Sequence, residues 1–191
     1  MRQVILQEFV SLDGFAAGPN ASVDLIPAAT KDDHSFEQHQ LQFAKTIDTI
    51  LLGRVTYRMF AGYWPTATVE TDKAADMLNL TPKVVFSRTL DQAPWGKWTE
   101  ARVVKTDAAE AVAGLKAQPG KDMVLWGSIS LARSLTKAGL IDQYQLVVCP
   151  VVLGSGTPLF GDQVPKLDLK LQETRTFDRG EVALKYTRTG S

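Results

Sequence analysis

The sequence holds one cysteine, Cys149, in 191 residues, so no internal disulfide can brace the fold. Its neighbours Leu146, Val147, Val148 and Val151 form an apolar, strand-like run, which favours a buried, inert thiol over a nucleophile. Histidine is nearly as scarce, with two residues. His34 and His39 lie five positions apart, off a shared helix face, and offer no metal-ligand pattern. Neither sign of charge is in excess, with 21 basic and 21 acidic residues, so nothing recruits nucleic acid or an anionic membrane. The opening stretch MRQVILQEFVSLDGF carries one basic residue, and its apolar run is broken by Gln7 and Glu8. It reads as neither a signal peptide nor a membrane span, and the cytoplasm is the expected location. No G-x-G-x-x-G follows the first strand and no G-x-x-x-x-G-K-[ST] loop occurs. Gly154-Ser155-Gly156 comes late, follows Pro150 and lacks the third glycine.

What is present suits one domain over residues 1–191. A hydrophobic fraction of 45% and a charged fraction of 22% are those of an ordinary globular core. Apolar runs at 3–12, 49–52, 83–86, 101–104, 123–126 and 144–152 read as strands. Helical patterns fall between them, at 34–46, 55–60, 72–80 and from Asp107, which with Glu110 resembles a capping box. A further helix opens at Gly127-Ser128, runs to Lys137 and stops at Gly139. The segments 169–177 and 181–187 bracket Asp178-Arg179-Gly180 as an antiparallel hairpin. Strands alternating with helices predict an α/β fold with a largely parallel sheet, finished by antiparallel strands.

In such sheets ligands bind beyond the carboxyl ends of the strands, where helices begin. Three strand ends carry suitable chemistry. Gly53-Arg54-Val55-Thr56-Tyr57 offers a bare glycine, a guanidinium and a hydroxyl. Phe86-Ser87-Arg88 pairs a hydroxyl with a guanidinium, as a phosphate monoester requires. Trp126-Gly127-Ser128 presents little more than backbone at another helix start. Each alone is ordinary turn chemistry; their recurrence at one edge points to an anion or nucleotide site.

Taken in order, these blocks resemble the dihydrofolate-reductase-like family that includes the RibD C-terminal reductase domain. The resemblance rests on Ser11-Leu12-Asp13-Gly14-Phe15, on 50–57 with Tyr63-Trp64-Pro65, and on 84–88. It continues from Trp126-Gly127-Ser128 through Gly139-Leu140-Ile141-Asp142 to 150–160. It implies a central sheet of about eight strands, mostly parallel and flanked by helices, with a C-terminal antiparallel hairpin. It implies NADPH as cofactor. Arg54, Arg88 and Ser87 would hold the 2′-phosphate. Gly53, Val55 and Thr56 would line the pyrophosphate, with Trp126, Gly127, Ser128, Ile129, Ser130 and Leu131 opposite. Phe9, Ala16 and Ala17 would border the nicotinamide. Trp126-Gly127 stands where relatives carry a glycine pair with a cis peptide.

By the same resemblance the expected activity is reduction of a pterin-like or ribosylaminopyrimidine-like small molecule. The family spacing places a substrate carboxylate at Glu37, with Asp13 as a second catalytic candidate in the loop after the first strand. Tyr57, Phe60 and Trp64 could wall the substrate, although Tyr57 and Phe60 have the spacing of core residues as well. Gly154 and Gly156 are candidates for its border. The zinc-binding pattern of the deaminase half of RibD is absent. The competing reading is an NADPH-binding module or sensor without turnover. A homodimer, with the 144–152 strand taking part, is a further expectation.

Overall fold

Residues 1–25, 33–162 and 164–189 are described by a computed structural model. An apolar strand, β1 (Val4–Ser11), runs through the middle of the chain's main sheet. After it come the short β2 (Phe15–Ala17), helix α1 (His34–Ala44), β3 (Ile47–Gly53), α2 (Arg54–Ala61) and α3 (Ala75–Leu80). Next are β4 (Lys83–Phe86), β5 (Arg102–Val104), α4 (Ala108–Lys116), β6 (Asp122–Leu125) and α5 (Ile129–Lys137). The chain ends in β7 (Gln143–Cys149), β8 (Thr157–Pro158), β9 (Leu169–Thr176) and β10 (Val182–Arg188).

Eight strands share the main sheet in the order β5-β4-β3-β6-β1-β7-β10-β9. The first six pair in parallel; β10 runs antiparallel to both β7 and β9. All parallel strands therefore deliver their carboxyl ends, among them Gly53, Phe86, Leu125 and Ser11, to one edge. Alternation sorts the side chains between two layers. Val4, Leu6, Val10, Leu51 and Leu125 pack with Leu115, Leu131 and Leu135 of α4 and α5. Ile5, Ile50, Leu52 and Val124 pack with Phe43, Tyr57, Leu78 and Trp95 on the opposite face. Helix caps follow the sequence: Asp107 accepts from the amides of Ala109 and Glu110, and Gly139 takes a φ of 69° after α5.

Two boundaries and one expected edge differ from the sequence reading. β7 stops at Cys149 because Pro150 has no N–H to continue the ladder, and Val152 is left exposed. The helix expected from Asp72 begins at Ala75, since Asp72 is spent on a turn in which its carboxylate and carbonyl receive the amides of Ala74 and Ala75. β7 also lies between β1 and β10, so both its edges are used; the open edge on that side belongs to β9. Two short strands went unread. β2 and β8 pair as a separate ribbon, and a Cβ on Gly156 would come within 2.2 Å of the Ala17 carbonyl oxygen. Gly156 thus closes the ribbon tightly.

Leu51 is fully buried and Leu171 about half exposed. Leu51→Ala should cost about 2–5 kcal/mol of unfolding free energy in urea titrations, whereas Leu171→Ala should stay within about 0.5 kcal/mol.

Candidate active site

β3 and β6 are neighbours, and their carboxyl ends touch. The Gly53 amide donates to the Gly127 carbonyl at 3.0 Å, and a Cβ on Gly53 would lie 2.3 Å from Ser128 Oγ. This approach sets the first turns of α2 and α5 side by side. Their N-caps, Gly53 and Ser128, make no side-chain capping bond, so the leading amides of both helices remain available. Two positive helix ends meeting at free amides suit an anion such as a phosphate. The peptide between Gly127 and Ser128 is cis, one residue later than expected. Thr56 Oγ1 crowds Gly127, where a Cβ would come within 2.6 Å of it.

The guanidinium expected beside these amides is drawn across to the next strand. Arg54 Nη1 donates to Thr89 Oγ1 at 2.7 Å, which places Arg54 on the turn that carries Ser87 and Arg88. That turn is fixed by Ser87, whose hydroxyl oxygen accepts from the amides of Thr89 and Leu90. Arg88 is exposed, as are Arg54 and Val55. The Arg54 guanidinium, the hydroxyls of Ser87, Thr89 and Ser128 and the uncapped amides, with Arg88 exposed on the same turn, form a donor set that fits the phosphates of a dinucleotide. Ser130 lies within this cluster, its hydroxyl 3.0 Å from that of Ser128. Ile129 is partly buried against the core. Leu131 is a correction: its side chain is buried among Leu125 and Leu135, leaving only backbone to face a ligand.

The opposite face of the same edge is aromatic. Phe60 packs near Trp64 and Trp126, with centroids 6.2 and 6.3 Å away. Tyr57 does not join them. It is buried beside Trp95 and donates its hydroxyl to the Pro94 carbonyl, so it belongs to the core and not to a substrate wall. Glu37 is partly exposed on α1, 3.3 Å from His34, and its charge helps burial to raise the Asp72 pKa. Asp33, one turn earlier, caps α1. Burial works to raise its pKa, but donors from Phe36, Ser35 and Arg179 outweigh that and leave it lowered. His39 turns instead to Phe177 and Arg175. Cys149 is buried, and burial with the charge of Glu181 pushes its thiol up to about 12, which leaves it inert.

The loop after β1 holds a clasp. Asp13 accepts from the Ser11 hydroxyl, which lowers its pKa most, and from the amides of Leu153 and Gly154. Together these hold the carboxyl down to about 2. A group so firmly ionised ties loops and cannot serve as a proton donor at neutral pH. Gly154 is the other half of this clasp, Gly156 is packed on Ala17, and both Ala16 and Ala17 are buried at the ribbon. Phe9 packs against Phe36 with tilted rings, their centroids 5.5 Å apart.

Two residues at the centre of this edge were not singled out from sequence. Gln7 is buried, accepts from Trp126 Nε1 at 2.8 Å and shares hydrogen bonds with Gln40 and Gln145. Glu8, the next residue, points through the other face of β1 towards Gly127 and Thr56. Burial pushes its carboxyl up to about 8, offset in part by the Gly127 amide. The signal was there: two successive polar residues in a strand covered on both faces cannot both reach solvent.

Comparison with known proteins agrees with this geometry. Residues 2–183 match the model of the RibD C-terminal domain. The uncharacterized protein YyaP of Bacillus subtilis strain 168 is 36% identical over 187 residues, 97% of this chain and 94% of that protein. Among solved structures, a candidate riboflavin biosynthesis protein from Shewanella sp. PV-4 superposes with a TM-score of 0.77 at 21% identity, covering 98% and 99% of the two chains. A dihydrofolate reductase from Enterococcus faecalis, solved with NADP(H), gives 0.60 at 13% identity, covering 98% and 97%. Among the described residues no helix is long and apolar enough to cross a membrane. With its sheet order, its strand-end cluster and a family match along nearly its whole length, the chain belongs to the RibD C-terminal domain family, on the fold of the dihydrofolate reductases.

Proposed function

We propose that this protein is an NADPH-dependent reductase of a small heterocycle, of pterin-like or ribosylaminopyrimidine-like chemistry. The observation that carries the reading is the reach of Arg54 to Thr89, which brings its guanidinium onto the turn of Ser87 and Arg88, beside two uncapped helix starts. A 2′-phosphate distinguishes NADPH from NADH, and paired guanidinia with a hydroxyl are the donors such a dianion needs. The amides opening α2 and α5 then take the pyrophosphate, helped by Thr56. The backbone of Phe9, Ala16 and Ala17 borders the nicotinamide. When bound, the cofactor supplies a hydride.

The chain's own residues shape what receives that hydride. Phe60, Trp64 and Trp126 offer apolar surface to a flat ring, and the bond from Trp126 to Gln7 holds the indole in place. Glu37 on α1 is the carboxylate available to a ring N–H donor, whereas Asp13 is committed to its loops. Flat heterocycles with donor edges, such as pterins and aminopyrimidines, match this combination of aromatic wall and carboxylate.

Calorimetric titration tests the cofactor half of the reading. Arg54→Ala and Arg88→Ala should each weaken NADPH binding about 10- to 100-fold while changing NADH binding by less than about threefold, the difference expected for a lost charge-assisted phosphate contact. Equal losses for both nucleotides would remove the 2′-phosphate assignment. Oxidation of NADPH across a panel of pterins and ribosylaminopyrimidines tests the other half, and tight binding without oxidation of any of them would favour a sensor.

A further inference from the structure

We infer that Glu8 is a positioning residue of the cofactor site, acting as a neutral carboxylic acid that donates a hydrogen bond to the bound dinucleotide and excludes it when ionised. The inference rests on the cofactor reading above and adds a requirement to it. Glu8 extends from β1 on the face of Val4, Leu6 and Val10, towards the seam where α2 and α5 begin. A Cβ on Gly127 would lie 2.6 Å from Thr56 Oγ1 and 3.3 Å from Glu8 Oε1, so hydroxyl and carboxyl flank the same glycine. The carboxyl thus stands among the groups assigned to the pyrophosphate. An anion there beside an anionic ligand is unfavourable; an acid O–H there is a donor.

The surroundings keep the acid form. The residue is only partly exposed, and burial raises its pKa to about 8, with the Gly127 amide the one donor working against it among the described residues. Among the described residues no cation is turned to it. On α2, Arg54 is engaged with Thr89; on α5, Leu131, Ala132 and Leu135 face the sheet, and Arg133 donates to the Leu159 carbonyl. On the flanking strands, Leu125 and Leu146 are apolar and Tyr144 is buried with a raised pKa, caused chiefly by burial. Lys116 and Asp142 pair with each other beside the opposite end of β1, where Asp142 also receives the Val4 amide. Bound NADPH adds negative charge, which favours the protonated form further and draws a proton in on binding.

The sign of the accompanying stability effect follows. A carboxyl whose folded pKa is raised contributes stability that is full below the ordinary glutamate value of 4.5 and is lost as pH rises to about 8. Wild-type thermal stability, measured relative to Glu8→Gln, should therefore decline between about pH 5 and pH 8 and then level. For binding, calorimetry with NADPH on the purified full chain should show wild-type Kd rising about 30-fold from pH 7 to pH 9.5, as expected when only the acid form binds. In Glu8→Gln, which cannot ionise, the ratio of the two Kd values should be about one. At pH 8, titrations in buffers of different ionisation enthalpy should report uptake of about half a proton per NADPH by wild type and none by the variant. Parallel pH profiles in the two proteins, or no proton uptake by wild type, would overturn the inference while leaving the cofactor reading intact. Absence of NADPH binding in both proteins at every pH would overturn the two together.

Discussion

Everything at the candidate site depends on how closely β3 and β6 approach at their carboxyl ends. The amide of Gly53 meets the carbonyl of Gly127, and no side chain larger than hydrogen fits at Gly53. Because β3 turns directly into α2, and β6 leads into α5 after three residues, this one contact fixes the spacing of two helix starts. The dinucleotide fingerprint of three glycines in one loop serves the same end, a bare backbone against phosphate. Here bare backbone comes from Gly53 and Gly127, at the ends of two separate strands, and the sequence carries no loop that holds three such glycines together. The price is distance in sequence: Gly53 and Gly127 come together only when the sheet has assembled.

From that seam the site divides by face. Towards α4 and α5 lie Thr56, Gly127 and Glu8, with Arg54, Ser87 and Arg88 at the next strand end. Towards α1 and α2 lie Phe60, Trp64, Trp126 and Gln7. The two loops that follow β1 and β7 are fastened to one another by Asp13. Charge is gathered on the first side and aromatic surface on the second, as a cofactor of phosphates and a flat substrate would each require.

Most of the architecture was legible because burial imposes periodicity. Runs such as 83–86 and 49–52 could only be covered strands, and Asp107 and Gly139 mark helix ends by their own chemistry. The strand-end glycines and arginines were legible for the same reason. The paired ribbon of β2 and β8 was not, since two or three residues have no period to read. Tyr57 could be assigned to core or pocket from spacing alone, and the Pro94 carbonyl decides it for the core. Asp13 announces a turn, but its second partner lies 141 residues away at Gly154. Gln7 and Glu8 were read as an interruption of an apolar run, when their burial inside the sheet makes them the polar centre of the site.

Those two residues carry a consequence of strand parity. Successive side chains of β1 point to opposite sides, so an amide and an acid that are neighbours in the chain never share a compartment. Adding or deleting one residue at the start of β1, with pairing to β6 and β7 kept from that end, would send each to the opposite face. A deletion would bring the acid to the place beneath the Trp126 indole, and an insertion would bring the amide to the place beside Thr56. Which chamber is acidic and which is neutral is therefore written as odd or even, in a strand whose average hydrophobicity such a change would leave untouched.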